Sequence, residues 1–192
     1  YQGTADAVYQ NLYSITRESS SHIIVLSGDH VYKMDYAKMV RFHLERNADA
    51  TIATIEIPVA DAPRFGIVSI DQSDRVIGFD EKPHYPTPAP GSPDTALASM
   101  GIYIFRADVL ERALEEDASR PDSQHDFGKN IIPSLIQCSP VYSYRFYDEN
   151  KKAAKYWRDI GTLDAYFEAS MDLCQVNPEF NLYDPEWPLR TY

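Results

Sequence analysis

The 192 residues make one large domain or part of a two-domain protein, and 44% of them are hydrophobic, enough for a packed core and too many for a disordered chain. Lys and Arg number 18 against 29 Asp and Glu, a net charge of −11, which excludes nucleic acid and anionic membrane as bulk partners. An anionic ligand must therefore be met by a local cluster of positive charge.

Taken in chain order, Thr4 is the predicted N-cap of a helix over 5–17, with Val8, Leu12 and Ile15 on one face and Asp6 in the first turn. Ile23 to Leu26 reads as a strand apolar at every position, the pattern of a parallel strand covered on both faces. Asp35 caps a predicted helix to about residue 47 that turns Tyr36, Met39, Val40 and Leu44 inward. Strands are expected over 50–57, 66–70 and 76–79, the last two joined by the turn Asp71-Gln72-Ser73-Asp74. The stretch after Lys82 carries prolines 83, 86, 88, 90 and 93. It has the stiffness of an interdomain linker, but strand-like segments flank it closely and it reads as a surface excursion within one domain.

A further strand is expected over 98–105, then a helix over 107–118 with Val109, Leu110, Ala113 and Leu114 on one side. Residues 126–137 predict another helix, in which Pro133 fits only a first turn or a kink. Residues 141–146 alternate as a strand does, and Thr162 caps a last helix over 163–176 with Leu163, Tyr166, Phe167, Ser170, Met171 and Cys174 at helical spacing. Strands alternating with helices indicate an α/β sandwich around a mainly parallel sheet, with antiparallel strands added over 76–105. No apolar run reaches the roughly 18 residues of a membrane span, and no secretory leader is visible. Cys138 and Cys174 lie in apolar-patterned segments without metal-ligand spacing, and are expected as reduced core thiols of a cytoplasmic protein. The start at Tyr1, without a methionine, is that expected of a piece of a longer chain.

Several short motifs invite a chemical reading. Ser27-Gly28-Asp29-His30 ends an apolar strand, and in open α/β sheets ligands bind beyond the carboxyl ends of strands. There Asp29 would offer an oxygen to a hard cation carrying phosphate, although an ordinary Gly-Asp turn has the same residues. Glu81-Lys82-Pro83 pairs a point charge suited to phosphate with an acceptor for sugar hydroxyls, and equally describes a solvated charged turn. Asp159, in "YWRDIGT", is either a second carboxylate for the cation or a partner of Arg158. Ser99 and Gly101 are a ligand wall or a site of close packing. Asp126 reads first as a helix cap and second as a ligand group.

The ordered set "YQGTADAVYQN", "LSGDHVYKMDY", "RFGIV", "EKP", "LASMGIYIF", "HDFGKNIIP", "YWRDIGTLDAY" and "YDPEWPLRTY" resembles the bacterial glucose-1-phosphate adenylyltransferase (ADP-glucose pyrophosphorylase) family over essentially the whole chain. The resemblance implies a Rossmann-like three-layer sandwich with a mainly parallel mixed sheet, a glycosyltransferase-A-like nucleotidyltransferase fold. It also implies condensation of ATP with α-D-glucose 1-phosphate to ADP-glucose and pyrophosphate for glycogen or starch synthesis, in a cytoplasmic, allosteric homotetramer. By the same resemblance Asp29 and Asp159 hold Mg2+ and, with Lys82, are the catalytic residues. Tyr1, Gly66, Glu81, Lys82 and Ser99 contact glucose 1-phosphate, with Asp126, Phe127 and Trp157 supporting the sugar pocket. In the family a glycine-rich ATP-phosphate loop precedes the segment matching Gly3–Ala7, and a β-helix follows the position of Tyr192. Residues 1–192 are accordingly expected to be a partial catalytic domain, inactive alone. A non-catalytic regulatory subunit of the same family is the alternative reading.

Overall fold

The computed structural model describes residues 1–17, 19–148 and 153–183. The closing motif therefore lies outside the described residues from position 184 onward. In chain order the elements begin with helices α1 (Thr4–Tyr9) and α2 (Leu12–Thr16), strands β1 (His22–Val25) and β2 (His30–Tyr32), helix α3 (Tyr36–Glu45) and strand β3 (Ala50–Pro58). A 3-10 helix over Val59–Arg64 leads to β4 (Gly66–Ile70), β5 (Val76–Glu81), β6 (Thr95–Arg106) and α4 (Ala107–Ala118). A π-helical turn over Phe127–Ile131 runs into α5 (Ile132–Cys138), followed by β7 (Val141–Arg145), β8 (Tyr147–Asp148), β9 (Ala153–Ala154), β10 (Trp157–Asp159) and α6 (Leu163–Leu173). Contacts divide these into two compact units, one of residues 1–26 and 36–146, the other containing residues 27–35 and the chain from 147 onward.

The first unit is an α/β fold around a mixed six-stranded sheet in the order β5-β4-β6-β3-β7, with β1 also paired to β6. Strand β6 runs antiparallel to β1, β3 and β4, while β3 and β7 pair in parallel. Hence β1, β3, β4 and β7 share one direction, and β5 and β6 oppose them. Strand β3 is buried on both faces, as its Ala-Thr-Ile repeat requires. Ala50 and Ile52 join the large apolar cluster made with Phe105, Val109, Leu110, Leu114, Ile132 and Val141. Thr51, alternating to the other face, bonds His43 of α3 at 2.8 Å. Helices thus cover both faces, which is the layered arrangement expected of the sequence.

Local departures from the sequence-based expectations have physical causes. The helix expected over 5–17 is broken at Gln10-Asn11, where the Asn11 side-chain amide donates to the Ala7 carbonyl at 2.9 Å, a bond that competes with the backbone ladder. Thr4 does not cap α1. Gly3 holds the cap position, and the Thr4 hydroxyl donates to Asp126 at 3.0 Å. Strand β1 is antiparallel to its neighbour β6 and is not buried throughout: Ile24 is 39% exposed. On α3 the inward position expected of Leu44 belongs to His43, whose Nδ1 is hydrogen-bonded to Thr51 while its Nε2 is buried without a hydrogen-bond partner among the described residues. Burial also pushes the His43 imidazole down to about 4. Cys138 and Cys174 are exposed free thiols, not core residues. Residues 83–93 lie inside the first unit and close on themselves through an Ala89–Ser92 bridge. Pro133 sits in the first turn of α5.

The second unit contains two small antiparallel ladders, β10 with β2 and β8 with β9, and helix α6. Thr162 caps α6 as expected, accepting from the Ala165 amide at 3.2 Å. The stripe read at helical spacing is open, however, with Leu163 88% and Phe167 62% exposed, and Ala169 is the buried residue of the helix. Among the described residues no helix is long and apolar enough to cross a membrane.

Candidate functional site

In the first unit the hairpin of β4 and β5 fixes one cluster. Asp71 ties its turn, its carboxylate accepting from the Ser73 amide and hydroxyl and from the Arg75 amide. These bonds hold the Asp71 carboxyl below the ordinary carboxylate range. The resulting register places Gly66 opposite Glu81. Gly66 has to be glycine, because a Cβ there would stand 2.5 Å from the Phe79 ring and 3.0 Å from Glu81 Oε2. Lys82 follows in the left-handed conformation, φ +53°, just before Pro83, and its amide donates to the Phe65 carbonyl at 3.0 Å. A non-glycine residue held there costs about 1–2 kcal/mol and marks a position fixed by its surroundings. The Lys82 ammonium lies 3.9 Å from Glu81 Oε1 and is largely exposed.

The wall behind Glu81 comes from β6 and the π-helical turn. Asp126 is the cap that the sequence favours: its Oδ1 accepts from the Gly128 amide at 2.9 Å and the Lys129 amide at 3.1 Å. Its Oδ2 accepts from Thr4, whose hydroxyl oxygen in turn accepts the Phe127 amide at 3.1 Å. Phe127 is buried and stacks on Tyr103 and Phe105 at 5.6 and 5.7 Å between ring centres. Tyr103 reaches Ser99 at 3.4 Å, and the Ser99 hydroxyl also accepts the Gly101 amide at 3.3 Å. Burial pushes the Tyr103 phenol up to about 12, with the charges of Asp126 and Glu81 adding to it, so this hydroxyl stays protonated near neutrality. Burial also raises Glu81 above the ordinary carboxylate range. Lys82 and Lys129 pull it back, and Asp126 adds to the rise. The cluster thus joins Gly66, Glu81, Lys82, Ser99, Asp126 and Phe127. Tyr1 stands apart, 81% exposed, its hydroxyl accepting from Asn11 at 3.4 Å.

The second unit holds the two acidic candidates together. Strand β10 pairs with β2 so that Asp159 faces His30, and the Ile160 amide donates to the Asp29 carbonyl at 3.0 Å. A Cβ at Gly161 would lie 3.1 Å from Asp159 Oδ1 and 3.6 Å from Asp29 Oδ2, so one small residue separates the carboxylates. Each is oriented by its own neighbourhood. Ser27 donates to Asp29 Oδ1 at 2.7 Å, and the Gly161 amide donates to Asp159 Oδ1 at 2.8 Å. Arg158 pairs with Asp172 at 3.1 Å. Trp157, also in this unit, meets His30 edge-on at 5.1 Å between ring centres. Among the described residues no group of three or more His, Cys, Asp and Glu gathers as a metal site. Two carboxylates alone suit a hard cation that keeps water and substrate phosphates as its remaining ligands.

Four supporting residues escape a reading by motif: Thr4, Tyr103, Gly128 and Ser27. Tyr103 had a signal, since it lies four residues from Ser99 on one strand, the spacing of a shared face. Thr4 and Gly128 had none, because their roles depend on contacts across more than a hundred residues or on absent side-chain volume.

Comparison with known proteins sets this geometry in context. Residues 1–176 match the family described as nucleotidyl transferase. The chain is 51% identical over its full length to a glucose-1-phosphate adenylyltransferase of Rhodopirellula baltica, covering 43% of that protein. It is 52% identical to proteins of the same name from Paramagnetospirillum magneticum and Methylococcus capsulatus, covering 46% and 45% of them. The chain therefore spans less than half the length of these curated relatives.

Proposed function

The chain belongs to the nucleotidyl transferase family, and we propose that the full protein containing it condenses ATP with α-D-glucose 1-phosphate to give ADP-glucose and pyrophosphate. The observation that carries the reading is the meeting of Asp29 and Asp159 beside Gly161. Attack of a sugar-phosphate oxygen on the α-phosphorus of a nucleotide needs no covalent step on the protein, only positioning and charge neutralisation. The substrates follow the relatives' printed name. On this reading Mg2+ is the cation, and the protein is an allosteric, cytoplasmic homotetramer serving glycogen or starch synthesis.

Asp29 and Asp159 would hold the cation, which when bound supplies positive charge to the phosphates. Ser27 and the Gly161 amide each engage one oxygen and steady the two carboxylates. Lys82 binds the sugar phosphate as a point charge, while Glu81 accepts from sugar hydroxyls. Tyr103, kept neutral, retains a proton to donate. These groups explain how a chain of net charge −11 handles anionic substrates. The regulatory-subunit alternative would not require the paired carboxylates to persist.

The test is an assay of the full-length protein with ATP, glucose 1-phosphate and Mg2+, following ADP-glucose and pyrophosphate, with glucose 6-phosphate as the control isomer. Formation of ADP-glucose from the 1-phosphate alone is expected. A folded full-length protein that makes none would sink the proposal.

A further inference from the structure

Glu81 Oε2 lies in a slot between two glycines. A Cβ on Gly66 would stand 3.0 Å from that oxygen, and one on Gly128 would stand 2.9 Å from it. The positions differ in what else they would strike. At Gly66 the first collision is with the Phe79 ring, at 2.5 and 2.9 Å. At Gly128 the first collision is with Glu81 itself, ahead of the Phe79 ring at 3.3 Å and Asp126 Oδ1 at 3.4 Å. Gly128 belongs to the π-helical turn and is not among the glycines of positive φ, so the backbone there accepts any residue. Alanine forms helix better than glycine, and the backbone therefore gains from the exchange. A methyl group at 128 thus has one principal effect, displacement of the Glu81 carboxylate.

That carboxylate has two distinct ends. Oε2 is lodged in the slot, while Oε1 points the other way and lies 3.9 Å from Lys82 Nζ. Burial disfavours the charge on Glu81, and the nearby Lys82 and Lys129 favour it. Pushing Oε2 out of the slot turns Oε1 away from its place beside Lys82. The acceptor for the sugar hydroxyl and the donor to the sugar phosphate then lose their common register.

The geometry points to Gly128 as a positioning residue that sets, through Glu81, the affinity of this cluster for a hexose 1-phosphate. The inference rests on the sugar-phosphate reading of Glu81 and Lys82 given above. It goes beyond that reading in assigning a role to a residue that has no side chain and that would not touch the substrate.

The experiment uses the full-length protein and four forms: wild type, Gly128→Ala, Glu81→Gln and the double variant. Glucose 1-phosphate binding is measured by calorimetry, turnover by the ADP-glucose assay, and stability by thermal melting. Gly128→Ala is expected to weaken glucose 1-phosphate binding and raise its KM about tenfold, the effect of one lost charge-assisted hydrogen bond, with kcat and the KM for ATP nearly unchanged. Its melting temperature should equal or exceed that of wild type. Adding Gly128→Ala to Glu81→Gln should cost clearly less than adding it to wild type, because one residue acts through the other. Unchanged glucose 1-phosphate affinity in Gly128→Ala, multiplicative effects in the double variant, or a lowered melting temperature with kcat and both KM values altered would each overturn the inference. Turnover by wild type decides the proposed reaction, whereas binding by the variants decides the role of Gly128, so the two fail separately. A wild type that does not bind glucose 1-phosphate overturns both.

Discussion

The Glu81 cluster of the first unit and the Asp29–Asp159 pair of the second are held by different means. Around Glu81 the restraint is volume: Oε2 lies within about one contact distance of where a Cβ on Gly66 or Gly128 would stand, beside the Phe79 ring. Around Asp29 the restraint is hydrogen bonding. One hydroxyl and one amide orient the two acids, and the Asp29 side chain remains 59% exposed. On the proposed reading Glu81 selects a neutral hydroxyl, which benefits from a partly desolvated wall. On the same reading the acidic pair accepts a hydrated cation with its phosphates and has to leave room for water and ligand oxygens.

The largest effect that would test this contrast is expected in the second unit. In the full-length protein, Asp29→Asn or Asp159→Asn should lower kcat by roughly a hundredfold or more, as loss of an electrostatic contribution to the transition state does. The KM for glucose 1-phosphate should move little. A near-normal kcat at saturating Mg2+ would reduce Gly28-Asp29 to an ordinary turn.

Lys82→Ala probes the other side. It should weaken apparent glucose 1-phosphate affinity about 10- to 100-fold, while kcat changes much less, because the phosphate is held alike in ground and transition states. A fall in kcat matching that of Asp29→Asn would erase the distinction between the regions.

The smallest and most specific effect concerns pH. Glu81 is raised above the ordinary carboxylate range chiefly by burial, and its anionic form accepts from a hydroxyl more strongly than its protonated form. Glucose 1-phosphate affinity should therefore be full above the raised value and weaken as pH falls through it, with a midpoint higher than that of an exposed glutamate. Glu81→Gln should remove this step. If the step persists in Glu81→Gln, another group produces it.

Legibility in the sequence followed the length of the element. Hairpin β4–β5 and helix α4 were readable because apolar periodicity and turn residues extend over enough positions to agree. The pairing of Asp29 with Asp159 was not readable from pattern. It depends on β2 and β10, strands of three residues each, too short to show a period. Asp29 stood out as a strand-end carboxylate and Asp159 as a second carboxylate before a helix start, yet the register of the ladder places them side by side. Helix α6 shows the opposite limit. Its apolar stripe was plain in Leu163, Tyr166 and Phe167, but periodicity defines a face without stating what lies against it, and here that face is exposed. Gly128 illustrates a third limit, since a missing side chain acquires meaning only from the atom that fills its place.

The ladder of β2 with β10 also carries a consequence in time. Asp29 and Asp159 are separated by 159 − 29 = 130 positions of the chain. At about 5–20 residues per second, a ribosome needs on the order of ten seconds to travel from one codon to the other. Throughout that interval the segment carrying Asp29 exists without the strand it pairs with, while residues 36–146 of the first unit are being synthesised. Assembly of the acidic pair therefore cannot precede synthesis of β10. A chain truncated before residue 159 would present a lone carboxylate to the cell, and not a pair able to capture a divalent ion.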